Sequence, residues 1–406
     1  MKSYNFKQIL IAVLLLAAST ALSTMAQNKI ELEYDYDYDF IENGIAYKIT
    51  GSNEVTVTYS AGHNVLEEEW TTNYPDLPAE VAIPASVTNN GTDYAVTSIK
   101  MRAFHNCPNL ECVSIPPTIK EIGINAFIGC TQLTQVKIDD LEAWCRIEIK
   151  AKDNYHINIP YMLPIQRPYD LIVNGNKVSH CVIPGGITQI PKGKFAFCNI
   201  STVEIPTSVT TIGEGAFYGS AINQLNVPNS VTSIDVEAFA YCNDLKQATL
   251  PNSITKVASA LFAYSGIESI ELPESVTTIE GHAFAYCDQL KTVTLPAAVT
   301  SLDGYYIFSE SPNLTAINSH ITKPYIVNIS DYTFSGLNPN CVLYVPKGLV
   351  EEYQRVEKWR RPFASITEGN WGNEEPRPLR GDLDNNGMVD VDDINCLINI
   401  ILGLDK

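Results

Sequence analysis

The sequence predicts a repeat solenoid, mainly β, in which successive turns of the chain stack and their strands run parallel. Two features predict this fold class. The first is an aliphatic residue followed by proline every 22 or 23 residues, at Pro184, Pro206, Pro228, Pro251, Pro273 and Pro296. The second is a phenylalanine that keeps step with the prolines, at Phe104, Phe127, Phe195, Phe217, Phe239, Phe262 and Phe284. Periods of this length indicate a solenoid in which each unit contacts only its neighbours.

One unit, STVEIPTSVTTIGEGAFYGSAI at 201–222, shows how a turn is built. Val203 and Ile205 alternate with polar residues, which is typical of a half-buried strand. Proline ends that strand, and Val209 and Ile212 bring the chain back across the core. The GAF segment then makes a tight turn or short helix that places Phe217 inside. One unit cannot cover its own apolar face, so we expect units to stack with strands about 4.8 Å apart.

The periodicity also predicts the domain organisation, because 406 residues exceed one ordinary core. Two stretches of repeats flank an irregular island, and the period fails at both ends. We interpret those ends as caps, since an open sheet edge invites aggregation. The predicted segments are a signal peptide (1–26), an N-terminal β cap (27–79), first repeats (80–133), the island (134–182), further repeats (183–316), a strand-helix C-terminal cap (317–367), a linker (368–380) and a calcium segment (381–406).

The charge and the N-terminus indicate the compartment and exclude two classes of partner. A net charge of −19 argues against nucleic acid and anionic membrane surfaces as ligands. The first 26 residues combine a basic start, an apolar run from Ile9 to Leu16 and small residues, which is typical of a secretory signal peptide cleaved before Gln27. The alternative is a buried N-terminal helix. No later stretch is long enough to span a membrane, so we expect a secreted protein.

Five of the ten cysteines share one position of the repeat, where other units place Ser220, Ser265 or Ser311. These cysteines are Cys107, Cys130, Cys198, Cys242 and Cys287. A position that accepts serine or cysteine requires a small side chain. Only Cys107 and Cys130 lie on neighbouring repeats, within reach of a disulfide, and the spacing leaves that bridge open. No CxxC occurs, which argues against a zinc site.

Two sets of residues are candidate binding surfaces. An aromatic column lies two positions after the core phenylalanine, at Phe197, Tyr241, Tyr264 and Tyr286. It could stack on sugar rings, anchor a protein partner, or merely shield the edge of the turns. The outward strand positions form a small, polar face, at Glu204, Asn226, Thr249, Glu271 and Thr294. That face could hydrogen-bond to a partner or simply be solvated.

The sequence predicts no enzyme. HExxH, GxSxG and a glycine-rich phosphate loop are all missing from it, and no two histidines are spaced as a metal pair. A deep pocket is hard to build in a thin solenoid, so only the island, with Trp144 and His156, offers irregular chain for one. The alternative is therefore a glycan-acting enzyme with its site in the island.

A calcium site is predicted near the end of the chain, where 382–393 reads DLDNNGMVDVDD. A 12-residue EF-hand loop supplies oxygen ligands from positions 1, 3, 5, 7, 9 and 12 and has glycine at position 6. Gly387 falls at position 6. The predicted ligands of Ca²⁺ are Asp382, Asp384, Asn386, the backbone carbonyl of Met388, Asp390 and Asp393. The alternative is an acidic loop without an ion. Arg380-Gly381-Asp382 also spells RGD, but its aspartate is already a predicted calcium ligand.

The units of the form IPxSVTxIGxxAFxxC resemble the BspA-like leucine-rich repeats of secreted bacterial proteins, over about 80–316. The front end, DFIENGIAYKITGSNEVTVTY at 39–59, resembles their β-hairpin cap, and 343–359 resembles their last strand and helix. The resemblance implies adhesion at the bacterial cell surface, through binding of host matrix proteins, other bacteria or surface polymers.

The calcium segment resembles a dockerin module, because Gly381-Asp382 opens the loop and aspartate stands at its last position. Dockerins carry two such loop-helix segments and bind cohesin domains, whereas this chain has one. Three interpretations are open: a half-module completed by another chain, a remnant, or a module folded onto the solenoid. The resemblance implies an alternative function, a subunit docked through its tail into a polysaccharide-degrading assembly with a cohesin-like partner.

Overall fold

The computed structural model describes residues 38–59, 74, 77–150 and 163–370, and it confirms a mainly β solenoid of stacked parallel strands with few helices. The predicted signal peptide, the calcium segment and residues 371–380 of the predicted linker lie outside the described residues. Glu368, predicted to begin the linker, is instead the last residue of a strand that pairs with the solenoid. Within the described part, no helix is both long and apolar enough to cross a membrane.

The N-terminal part of the solenoid contains two sheets that begin at the cap. The first contains β1 (Phe40–Glu42), β2 (Ile45–Ile49), β3 (Glu54–Thr58), β5 (Ser86–Asn89), β6 (Thr92–Ile99), β8 (Glu121–Gly123) and β10 (Glu148–Lys150). The second contains β4 (Glu80–Ala82), β7 (Cys112–Ser114), β9 (Gln135–Ile138), β11 (Asp170–Val173) and β12 (Asn176–Lys177). Asn43 and Gly44 both have positive φ, 49° and 79°, as a two-residue hairpin turn requires, so β1 and β2 pair antiparallel.

The range predicted to be an island contributes strands to both sheets. Strand β9 pairs in parallel with β7 and β11, and β10 pairs in parallel with β8. Helix α1 (Leu141–Arg146) lies between β9 and β10, and Asp140 caps its first turn by accepting from two backbone N–H groups. The repeat stacking is therefore carried through 135–150 although the sequence loses its period there.

The C-terminal turns continue the stacking on two sides. One side contains β13 (His180–Val182), β15 (Thr202–Glu204), β17 (Gln224–Asn226), β19 (Gln247–Thr249), β21 (Ser269–Glu271), β23 (Thr292–Leu295), β25 (Ala316–Ser319), β27 (Val342–Val345) and β28 (Ser365–Glu368). The other contains β14 (Gln189–Ile190), β16 (Thr211–Ile212), β18 (Ser233–Ile234), β20 (Lys256–Val257), β22 (Thr278–Ile279), β24 (Ser301–Leu302) and β26 (Asn328–Ile329). Within each side, neighbouring strands pair in parallel, and each side is interrupted once, between β19 and β21 and between β18 and β20.

The core is a column of phenylalanine rings. Successive rings from Phe195 to Phe334 stack at centroid distances of 5.4 to 5.9 Å, with planes within 17°. All the predicted core phenylalanines are buried, and Phe308 and Phe334 extend the column. Each ring fills the space inside one turn and contacts the ring of the next, so the column joins neighbouring units.

The C-terminal end of the column is closed by a cap. Helices α2 (Val350–Arg355) and α3 (Glu357–Arg360) follow β27, and a 3-10 helix (Pro324–Ile326) lies beside them. Trp359 is fully buried against the last core ring, Phe334, and its indole N–H donates to the carbonyl of Pro324. The cap therefore covers an apolar end that would otherwise be open.

Candidate binding surface

The turn that carries a core phenylalanine has an unusual backbone conformation, which determines where its side chains lie. In the turn of Phe217, the N–H groups of Gly215, Phe217 and Gly219 donate to carbonyls of the next turn at 2.8 to 3.0 Å. The residues two before and two after the phenylalanine are left-handed, with φ of 54° and 62° in this turn. Glycine adopts that conformation freely, whereas other residues lose about 1–2 kcal/mol in it.

The predicted aromatic column occupies the second of these left-handed positions. Phe197, Tyr241, Tyr264 and Tyr286 have φ of 58° to 59°. A bulky side chain in this region is an outlier that calls for a reason. Glycine stands at the same position in the turns of Phe217 and Phe334, as Gly219 and Gly336.

The rings form a ladder along the edge of the solenoid. Tyr264 stacks on Tyr241 at 4.3 Å and on Tyr286 at 4.4 Å between centroids. The turn that has glycine in the column does not break the ladder, because Tyr218 supplies a ring that contacts Phe197 at 5.5 Å and Tyr241 at 4.9 Å. We call the five rings the tyrosine ladder: Phe197, Tyr218, Tyr241, Tyr264 and Tyr286.

The stacking decides which atoms of the ladder a partner can reach. Tyr264 has a neighbouring ring on both faces, so a flat ligand cannot stack on it. Tyr241 and Tyr286 are nevertheless 38% and 40% exposed. Burial, the Tyr264 phenol and the Glu310 carboxylate raise the pKa of Tyr286. Its hydroxyl is therefore a neutral donor and acceptor near pH 7, beside an apolar ring edge.

Three further exposed tyrosines continue this edge, and the sequence did not single them out. Tyr305 and Tyr332 are 57% and 52% exposed, and their ring centroids lie 5.6 Å apart at a tilt of 48°. Tyr306 packs against Tyr332 at 6.1 Å. The segment from Leu302 to Phe308 is one residue longer than the corresponding segment of the preceding turn. This extra residue is the feature of the sequence that indicates an irregular turn there.

The five predicted residues of the strand face lie in one polar row. Asn226 pairs in register with Thr249, and Glu271 with Thr294. All are exposed except the half-buried Thr294. Glu204 lies 3.0 Å from the ring nitrogen of His180 on the preceding strand. The row is flat and has hydrogen-bonding groups but no aromatic side chain.

The cysteine column acts within the core. Cys130, Cys242 and Cys287 donate hydrogen bonds from sulfur to the carbonyls of Phe104, Phe217 and Phe262, at 2.9 to 3.1 Å. Ser311 does the same to the carbonyl of Phe284 at 2.9 Å, so cysteine and serine both act as small donors at this position. The nine described cysteines are all buried and free, so no disulfide joins Cys107 to Cys130.

A family model for the BspA type leucine rich repeat region matches six copies, at residues 85–146, 173–287 and 255–354. These segments cover more than half of the chain. The chain belongs to the BspA type leucine-rich repeat family. No curated protein matches it.

Three of the solved structures that are similar to this BspA type protein are the following. One from Bacteroides ovatus is 22% identical, covers 82% of this chain and 77% of its own, and has a TM-score of 0.46. The pneumococcal vaccine antigen PcpA is 17% identical over 81% of this chain and 98% of its own, with a TM-score of 0.47. A leucine rich cell surface protein from Faecalibacterium prausnitzii is 21% identical over 72% and 98%, with a TM-score of 0.31.

The remaining predicted sites of this BspA type protein belong to the island and to the calcium segment. Trp144 and Tyr169 of the island are buried, 5% and 2% exposed, so neither offers a surface for a substrate. His156 and the six predicted calcium ligands lie outside the described residues, and the calcium site stays a prediction. Within the described ranges, no group of three or more His, Cys, Asp or Glu side chains could hold a metal ion.

Proposed function

We propose that this protein is secreted to the bacterial cell surface and acts there, without catalysis, as an adhesion protein that binds a protein or glycan component of a host or bacterial surface. One observation carries the proposal. Aromatic side chains hold strained left-handed positions at the exposed edge, where glycine would fit without strain and does so in other turns. Hydrophobic edges next to hydroxyls are typical of residues that dominate protein interfaces.

The ladder itself suits a protein partner. Its rings are preorganised by stacking, so little side-chain entropy is lost when a partner docks. A partner with an apolar groove would cover the ring edges and hydrogen-bond to the hydroxyls of Tyr241 and Tyr286. The polar strand row would lie on another part of the same turns.

The test is binding of 27–406 to arrays of host matrix proteins and bacterial surface proteins. Wild type is compared with Tyr241→Gly/Tyr286→Gly, which uses the residue that this column already accepts at Gly219. Tyr325→Ser is the matched control, because Tyr325 is 63% exposed and lies in the 3-10 helix instead. We expect the glycine variant to lose binding about 100-fold, as loss of two central aromatic contacts would cost, while the control binds as wild type. Equal binding by all three proteins would refute the ladder as the docking surface.

For the tail we propose a Ca²⁺ ion bound by Asp382, Asp384, Asn386, the carbonyl of Met388, Asp390 and Asp393. Oxygen ligands at EF-hand spacing around Gly387 support it. Calorimetric titration of the full chain with Ca²⁺ should show one site, and Asp384→Asn/Asp393→Asn should abolish it. If the wild type gave no heat of Ca²⁺ binding, the segment would be an acidic loop without an ion.

The dockerin-like spacing supports a second candidate function, in which the tail docks the protein into a polysaccharide-degrading assembly through a cohesin-like partner. Deletion of 381–406 separates the two functions. Under adhesion by the solenoid, the shortened protein keeps its surface binding in the presence of a chelator. Under docking, it fails to co-purify with the assembly.

A further inference from the structure

A shallow cleft of about 370 Å³ lies across three successive turns of the solenoid. Its lining includes Ser259, Glu280, His282, Ser301, Asp303 and Tyr305. Its floor is backbone. A Cβ atom on Gly304 would overlap the backbone of Gly281, so only glycine lets these two turns approach so closely.

The longer turn described above shapes this cleft. The extra residue between Leu302 and Phe308 puts two tyrosines where the preceding turn has His282 alone. His282 then packs on Tyr306, at 5.6 Å between ring centroids, while Tyr305 stands at the rim. Tyr305 is 57% exposed, and its one described ring neighbour is tilted by 48°. Its ring is therefore open to a ligand, unlike the stacked rings of the ladder.

The charges of the cleft nearly cancel. The Glu280 carboxylate lies 3.1 Å from the ammonium of Lys256 and also accepts from the backbone N–H of Ser259 at 3.0 Å. Burial lowers the pKa of His282, so its imidazole is neutral near pH 7 and has one donor and one acceptor nitrogen. Asp303 is exposed and is the remaining carboxylate in the lining. One net negative charge gives little attraction for a polycation and disfavours an anion.

The backbone of His282 is left-handed, as it is at the same position of earlier turns. Its φ is 59°, and Gly193 and Gly215 have φ of 59° and 54° there. Glu237 and Ala260 occupy the position as well, with φ of 56° and 52°. A side chain is therefore tolerated there at some cost in strain, and the role of the imidazole rests on its place in the lining of the cleft.

We propose that this cleft binds a pyranose unit of an uncharged polysaccharide or glycan. A pyranose has an apolar C–H face, which would pack on the negative face of the Tyr305 ring. It has hydroxyl groups around its edge, which would donate to Asp303 and exchange hydrogen bonds with His282 and Ser301. A pocket of this volume with a few convergent polar groups suits a ligand of one or two sugar rings. The proposal rests on the binding role proposed above and names a ligand class for it.

The experiment is titration of 27–406 with neutral hexasaccharides of glucose, galactose, mannose, xylose and N-acetylglucosamine, followed by saturation-transfer NMR and calorimetry. We expect at least one to bind, with Tyr305→Ala and Asp303→Asn each weakening it about tenfold, which corresponds to about 1.4 kcal/mol. His282→Gly should weaken binding while keeping or raising the melting temperature, because glycine removes the strain. Tyr325→Ala is the control and should bind as wild type.

Three results would overturn the proposal. They are the absence of binding by every hexasaccharide, binding that is unchanged in all three cleft variants, and binding of hexa-arginine in place of the sugars, which would make the cleft a cation site. The ladder variant Tyr241→Gly/Tyr286→Gly should still bind the sugar. Failure of the cleft is thus distinguished from failure of the ladder.

Discussion

The thiol of Cys287 donates a hydrogen bond to the backbone carbonyl of Phe262, one turn earlier, at a sulfur–oxygen distance of 3.0 Å. Cys130, Cys242 and Ser311 make the same contact, whereas the hydroxyls of Ser220 and Ser265 lie against the sulfur atoms of Cys242 and Cys287. The carbonyl of Phe262 also accepts from the backbone N–H of Ser265 at 3.0 Å. The thiol therefore adds a second hydrogen bond to a carbonyl that already has one partner, and its net contribution should be about 0.5–1.5 kcal/mol.

Exchange of Cys287 tests that role. Cys287→Ser keeps a small donor and should change the free energy of unfolding by less than about 0.5 kcal/mol, whereas Cys287→Ala should lower it by about 0.5–1.5 kcal/mol, because one hydrogen bond is lost while the carbonyl keeps its backbone partner. Urea unfolding followed by circular dichroism measures both. If alanine were as stable as serine, the hydrogen bond would contribute nothing and size alone would explain the column.

A charge in the ring column should separate the units. Phe239 is fully buried and stacks on Phe217 at 5.6 Å and on Phe262 at 5.8 Å. Phe239→Asp would leave a carboxylate in an apolar core, so we expect a loss of more than about 4 kcal/mol and a sharply lower melting temperature.

The matched control for that variant is Tyr241→Asn, two residues further along the same turn. Tyr241 is partly exposed, and asparagine tolerates its left-handed backbone. The control should change stability by about 1 kcal/mol or less. Similar melting curves for Phe239→Asp and wild type would contradict the position of Phe239 in the core.

The left-handed backbone of Tyr241 makes glycine and alanine unequal replacements. Both remove the ring and its stacking, but only glycine removes the strain of φ 59°. Tyr241→Gly should therefore be more stable than Tyr241→Ala by about 1 kcal/mol. Thermal unfolding of the two variants gives the comparison. The reverse order, typical of an ordinary strand or helix position, would argue against this backbone conformation.

Lys194 makes stability depend on pH. Its side chain is buried over the ring of Trp144, at 4.8 Å from the ring centroid, and burial lowers its pKa to about 7. The unfolded chain holds the Lys194 proton up to about pH 10.4. Between the two pKa values the unfolded state binds more protons, so stability rises as pH rises through 7.

From pH 6 to pH 8 this single group should add about 1.4 kcal/mol to the free energy of unfolding. Lys194→Met keeps the length and apolar contacts of the side chain. The other titratable groups contribute equally to both proteins, so the comparison of wild type with this variant isolates the contribution of Lys194. The free energy of unfolding of wild type relative to that of Lys194→Met, from urea unfolding at the two pH values, should be higher by that amount at pH 8. A difference that stays constant would place the ammonium in contact with solvent.

Much of the fold could be predicted from the sequence, because the information is local to each unit. Alternation of Val203 and Ile205 with polar residues defines a strand, proline ends it, and Phe217 fills the interior. Repetition of that pattern then requires stacking, since one unit cannot bury its own apolar face. The same reasoning predicted small side chains in the cysteine column but did not identify them as hydrogen-bond donors.

The solenoid, its period and the residues of its core follow from the repeated pattern of one unit. How neighbouring turns meet is visible only in the folded chain: Tyr218 completes the ladder across Gly219, β9 and β10 carry the stacking into an aperiodic range, and one extra residue before Phe308 shapes the cleft at Tyr305. The physical reason is that these features depend on contacts between residues some 20 or more positions apart. Such contacts arise from the register between turns, which no single unit encodes.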